Sequence, residues 1–148
     1  MDIADDPEKL IDPNYTLGVL CSKFLEHYGA GAEEIISNIC YQRGLVLGVK
    51  LVPDQEKRSF ETAIKAFVAA SEKSKDPAKL LFLDDRKAIV QGTVCPFGLR
   101  GRGRKICEVI MTTDKGILEG ASGCKIGVTV HRALAEGEEY CQVQFDAT

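Results

Sequence analysis

The sequence predicts an α+β fold: N-terminal helices packed on an antiparallel sheet of about four strands, with a further helix between two hairpins. Three observations carry this. Apolar residues recur at helical spacing through the first half. In the second half they alternate with polar ones in short runs. Those runs are joined in pairs by short turns, which pairs strands antiparallel and gathers the helices on one side. At 148 residues the chain is long enough for one domain with a real core. We read residues 1–13 as poorly ordered, 14–74 as mainly helical and 79–148 as a cysteine-bearing β-β-α-β-β half.

The polar, acidic start holds Pro7 and Pro13, which argue against a long helix there. The first helix is expected from Asn14 or Tyr15, with Leu17, Leu20, Cys21, Phe24 and Tyr28 on its core face. Gly29-Ala30-Gly31 stops it. A second helix, Ala32 to Val49, carries the apolar stripe Ile35, Ile36, Ile39, Cys40 and Leu47. Cys21 and Cys40 read as small buried hydrophobes. Gly44 and Gly48 stand one helical turn apart. Glycine costs helix stability, so this pair implies close approach by another backbone. The first helix is the expected neighbour, with a second subunit as the rival. Asp54 is the expected N-cap of a third helix running to about Lys73, with Phe60, Ala63, Ile64, Phe67, Val68 and Ser71 inward. The polar stretch Ser71 to Lys79 is a connector.

Leu80 to Leu83 predicts a strand and Asp84-Asp85 a turn. Ala88, Val90, Gly92 and Val94 then alternate with Lys87, Ile89, Gln91 and Thr93 into Cys95. After a glycine-arginine loop, Ile106, Val109, Ile110, Thr113 and Ile117 predict one helix from Arg104 to about Glu119. Ile126, Val128 and Val130 mark a third strand. Ala135 to Glu139 is a turn, and Cys141, Val143 and Phe145 share the core face of a fourth strand.

Composition excludes little and suggests no extreme. The chain is 45% hydrophobic and 28% charged, ordinary for a soluble domain. A net charge of −3 gives no whole-chain footprint for nucleic acid, and no basic recognition helix argues for direct DNA binding. No apolar run reaches membrane-spanning length. The start Met1-Asp2-Ile3-Ala4-Asp5-Asp6 lacks a secretory pattern, so a cytoplasmic address is expected. Six cysteines are then expected as reduced thiols, which raises metal binding, redox chemistry and plain burial as readings.

Four of the six, Cys95, Cys107, Cys124 and Cys141, lie in the last third. Thiolates are soft ligands suited to zinc or an iron–sulfur cluster. Cys95 ends a strand, Cys107 lies in the first turns of a helix and Cys124 precedes a strand, so convergence at one end of the sheet is the metal reading. Unligated structural thiols are the alternative. A third is a reactive thiol, for which Cys107 is the best placed because a helix N-terminus lowers a thiol's pKa. Arg100, Arg102, Arg104 and Lys105 sit among glycines ahead of that helix, an arrangement suited to an anion, or else a solvated loop. It is not a nucleotide-hydrolase loop, because Ile106 follows the lysine. His131 lies near Cys141 across the turn, which permits a Cys–His pair with nothing to orient it. His27 reads as an exposed helix-end residue.

Val94-Cys95-Pro96-Phe97, Ile106-Cys107-Glu108, Gly116-Ile117-Leu118-Glu119-Gly120 and the run His131 to Val143 together resemble the vinyl-reductase-type hydrocarbon-binding domain and its relatives, including the methanogen output domain. A weaker likeness is to the cysteine-bearing half of iron–sulfur-sensing repressors, without their winged helix. The resemblance implies a sensory, ligand-binding module, often dimeric, sometimes carrying zinc on cysteines. We therefore expect a small apolar or anionic ligand, a buried apolar pocket between helices and sheet, and a homodimer. The alternatives are a thiol-dependent hydrolase or oxidoreductase, and a scaffold docking through the Gly44–Gly48 face.

Overall fold

A computed structural model describes residues 6–73 and 77–148. Its helices are α1 (Pro13–Tyr28), α2 (Ala30–Leu51), α3 (Phe60–Ser71), α4 (Arg104–Ile110) and α5 (Thr112–Ser122). The strands are β1 (Lys79–Leu83), β2 (Lys87–Gly92), β3 (Ile126–Arg132) and β4 (Cys141–Ala147). The four strands form one antiparallel sheet in the order β1-β2-β4-β3, so the two hairpins join through β2 and β4. The expected α+β class is the observed one. No helix among the described residues is long and apolar enough to cross a membrane.

Helices cover one face of the sheet. Phe60, Ala63 and Ile64 of α3 and Leu118 and Ala121 of α5 pack on Ala88, Val90, Ile126, Val143 and Phe145 from three strands. A second cluster joins α1, α2, α4 and the long loop through Cys21, Ile36, Cys40, Leu99, Ile106, Val109 and Ile110. Cys21 and Cys40 are buried, as expected.

The helix faces depart from the periodicity. In α1 the buried residues are Tyr15, Gly18, Val19, Cys21 and Ser22, whereas Leu20 and Tyr28 are largely exposed. In α2 they are Ala32, Ile36, Cys40, Gly44 and Gly48, whereas Ile35 and Ile39 are exposed. In each case the inward face is the one with small residues, because a backbone lies against it. A β-carbon at Gly18 would collide with the Phe97 carbonyl, which presses the cysteine loop onto α1. Gly44 and Gly48 meet α5, not α1 and not a second subunit. Their β-carbons would strike the backbone at Thr113 and Ile117, and those of Gly116 and Gly120 would strike the backbone at Tyr41 and Leu45. The Gly44–Gly48 face is thus covered within the chain, which removes it as a docking face.

Element boundaries shift for local reasons. Pro7 and Pro13 open a 3-10 turn (Pro7–Ile11) and α1, where a missing N–H costs nothing. This order reaches into the stretch expected to be loose; residues 1–5 lie outside the described residues. Asp54 caps a short 3-10 turn, Gln55–Lys57, and Ser59 is the true N-cap of α3, its hydroxyl accepting from the Thr62 N–H at 3.1 Å. Of the connector Ser71 to Lys79, residues 74–76 also lie outside the described residues. The expected single helix from Arg104 breaks at Met111. There the Thr112 hydroxyl donates to the Val109 carbonyl at 2.7 Å and competes with the helical ladder. β2 stops at Gly92, short of Val94.

Candidate ligand groove and thiol cluster

Where β2 and β4 pair, Gly92 stands opposite Cys141. A β-carbon at Gly92 would lie 3.1 Å from the Cys141 sulfur, so the glycine leaves that thiol its space. Cys95 follows three residues after Gly92, and Cys107 comes in from α4. Both pack against the second core cluster. Asp114 of α5 completes the group. Burial lifts its carboxyl to about 7, and it acts electrostatically on Cys95, Cys107 and Cys141. Asp114 lies in the first turn of α5, just past the break at Met111. The cysteine pattern alone gave no signal for it.

Cys124 is elsewhere. It precedes Ile126, whose partner on β4 is Ala147. Cys141 is six residues back along that strand, about 20 Å at a strand's rise of ~3.4 Å per residue. Cys124 packs in the other core cluster, its N–H donating to the Ser122 hydroxyl at 3.0 Å. The expected convergence of four cysteines at one end of the sheet therefore fails: three lie within electrostatic reach of one another and the fourth sits at the opposite end. Among the described residues, no three His, Cys, Asp or Glu side chains form an arrangement that could hold a metal ion as they stand. The donors are of the right kind, but they do not enclose a cation.

The Cys107 thiol is not activated. Burial, first, and then its acidic neighbours Cys95, Cys141, Asp114 and Glu108 push it up to about 12. Burial also raises Cys95, Cys141 and, with Cys40 beside it, Cys21. The α4 N-terminus loses this contest, so the expected low-pKa nucleophile is absent. Nor does a Cys–His pair form. Cys141 shares the inner face with Val143 and Phe145, whereas exposed His131 bonds Gln144 on the outer face at 2.9 Å.

Of the four cations of the glycine loop, Arg104 and Lys105 are paired with carboxylates of the chain. Arg104 pairs with Glu136 and Glu108 and donates to the Val130 carbonyl at 2.6 Å. Lys105 reaches Glu33 of α2 at 3.4 Å. Arg102 Nε donates to the Gly98 carbonyl at 3.2 Å, and Arg100 is exposed. The loop's charges fasten it to its surroundings.

The cavity lies beside this loop, between α4–α5 and the edge strand β3. It measures about 320 Å³ and is lined by Arg104, Glu108, Met111, Thr112, Lys115, Val128, Thr129 and Val130. The expectation was a buried apolar pocket. The observed groove is open, with a floor of Met111, Val128 and Val130 and charges along its rim. At one end Lys115 stands 3.6 Å from Glu119, which anchors three elements. Glu119 accepts from the Tyr41 hydroxyl of α2 at 2.6 Å and from the Ile126 N–H opening β3 at 3.2 Å, with Lys125 also at 3.6 Å. Burial opposes its charge, yet Tyr41, the Ile126 N–H and the lysines outweigh burial and hold the carboxyl below its usual range.

This two-layer α+β fold is shared with two solved structures of low sequence identity. The phenol-responsive sensory domain of the transcription activator PoxR, solved with phenol, has it. It matches with a TM-score of 0.69 and 11% identity, over 90% of this chain and 74% of that one. The trafficking protein particle complex subunit 3 from Naegleria fowleri, covalently bound to palmitic acid, matches with a TM-score of 0.64 and 12% identity, over 96% and 95%. No protein-family model and no curated protein matches the sequence.

Proposed function

We propose that this chain is a regulatory module that binds a small molecule in the groove between α4–α5 and β3, and that it belongs to the hydrocarbon-binding superfamily its sequence resembles. The observation that carries the reading is the groove itself, at the low end of the volume range of ligand sites, in a fold shared with a phenol-responsive sensory domain. Titration calorimetry with phenol tests it, beside a Val128→Trp variant whose indole fills the groove. Binding to the wild type and its loss in the folded variant support the reading. Equal binding to both contradicts it.

The module works as a homodimer in this reading. Leu20 and Tyr28 of α1 and Ile35, Ile39 and Val46 of α2 are each more than half exposed. A second copy of the chain is the occupant we propose for this α1–α2 surface.

The metal expectation reduces to zinc on Cys95, Cys107 and Cys141 with Asp114 as fourth donor, and it requires those side chains to move into an arrangement they do not hold here. A four-cysteine iron–sulfur site would need Cys124, which lies at the far end of the sheet. Zinc analysis of the wild type and an Asp114→Asn variant tests the reduced form. One zinc per chain, lost with Asp114, supports it; no zinc in the wild type rejects it.

A further inference from the structure

The groove's charges are unequal in how far the chain has already engaged them. At one end the Arg104 guanidinium is held by Glu136, the Val130 carbonyl and, at 3.9 Å, Glu108. At the other end Lys115 faces Glu119, but it shares that carboxylate with Lys125, each ammonium 3.6 Å away. Glu119 also accepts from Tyr41 and the Ile126 N–H. One carboxylate against two ammonium groups leaves this end with one excess positive charge among the described residues, whereas Glu136 and Glu108 against Arg104 leave the other end with one excess negative charge. The Lys115 side chain is 42% exposed, on the groove side of α5. The apolar floor of Met111, Val128 and Val130 lies between the two ends.

We infer that the groove selects a small amphipathic anion: a carboxylate with a compact aromatic or branched aliphatic body. The body lies on Met111, Val128 and Val130, and the carboxylate meets Lys115. The volume suits this class, since about 320 Å³ lies at the low end for small-molecule sites. A cationic ligand of the same shape meets like charge at Lys115, and a neutral one forgoes the charged contact. The inference rests on the groove being the ligand site, and its test separates the two.

Three probes of one shape decide it: benzoate, benzyl alcohol and benzylammonium, titrated calorimetrically into the full chain at low salt. Benzoate is expected to bind about fivefold tighter than benzyl alcohol, the size of effect a partly exposed ion pair supports, and benzylammonium weakest. Lys115→Met keeps the aliphatic stem and should abolish the preference, so that benzoate and benzyl alcohol bind the variant about equally. Lys115→Arg should keep the preference. Urea unfolding of both variants checks that they are folded. Equal binding of benzoate and benzyl alcohol to the wild type overturns the charge selection and leaves the groove as a ligand site. A benzoate preference that survives Lys115→Met overturns the role of that lysine. No binding by any probe overturns both the inference and the groove reading.

Discussion

Gly44 of α2 and Gly116 of α5 face each other across a close helix crossing. A β-carbon on either would stand 2.9 Å from the other's Cα, and each would also strike a carbonyl of the opposite helix. Gly48 and Gly120 repeat the contact one turn along. The crossing sets where α5 lies on the sheet and so where the groove opens. Gly44→Ala and Gly116→Ala should each lower stability by about 2 kcal/mol, within the range for overpacking a close contact, as read by urea unfolding. Gly31 is the control. It lies in α2 with open space around it, and Gly31→Ala should stabilise by roughly 0.5–1 kcal/mol.

Glu119 ties α5 to α2 and to the start of β3. Glu119→Gln should cost about 1–3 kcal/mol at pH 7, because charge-assisted bonds are lost in a buried place. The carboxyl is held below its usual range in the folded chain. Its contribution is therefore full above the unfolded pKa and fades as pH falls through the lower, folded value. Unfolding curves across pH 3–7 should show the cost of the variant shrinking toward the acid end.

Asp114 behaves in the opposite sense. Its folded pKa of about 7 lies above that of the unfolded carboxyl. The folded chain binds the proton more tightly, so this group's effect on stability worsens as pH rises from about 4 to about 7 and is constant above that. In metal-free protein, Asp114→Asn should be more stable than the wild type at pH 8, by on the order of 2–4 kcal/mol. The gain should vanish near pH 4. Urea unfolding in a chelating buffer at the two pH values reads both.

Cys107 should be inert while the chain is folded. With its pKa near 12, its thiolate fraction at pH 8 is very small, and its labelling by a disulfide reagent should be at least about a hundredfold slower than in urea. Mass spectrometry of the labelled peptides gives the site. Fast labelling of Cys107 in the folded chain would restore the thiol-enzyme alternative.

The exposed stripe of α1 and α2 should hold two copies together. Leu20→Glu and Ile39→Glu place charges on it without touching the buried faces. Sedimentation should show a dimer for the wild type and monomers of unchanged fold for the variants. A monomeric wild type at high concentration would remove this part of the proposal.

The element order, the two hairpins and the inner face of β4 were legible in the sequence, because strand alternation and turn residues are local signals. The helix faces were less so. Periodicity weighs large side chains, and it pointed Leu20, Ile35 and Ile39 inward. The real packing is backbone against backbone at Gly18, Gly44 and Gly48, and it turns those large residues outward. The glycine pair was a readable sign of close approach, but its partner pair, Gly116 and Gly120, lies some seventy residues away. The thiol cluster was half legible. Cys95, Cys107 and Cys141 lie within electrostatic reach of one another, whereas separating Cys124 needs the register of β3 on β4, which no spacing reveals. Asp114 and Lys115 had no motif, and Glu119 stood out only within the run Gly116 to Gly120. Their roles come from the α5 turns that face β3 and the loop.

Methyl resonances in an NMR titration test the central claim most directly. With phenol and then benzoate, we expect shifts concentrated at Met111, Val128 and Val130, the methyl groups that line the groove. Saturable shifts there, with the α3 core at Ile64 unmoved, are the result this account predicts. Saturable shifts elsewhere, with these three unchanged, would contradict it.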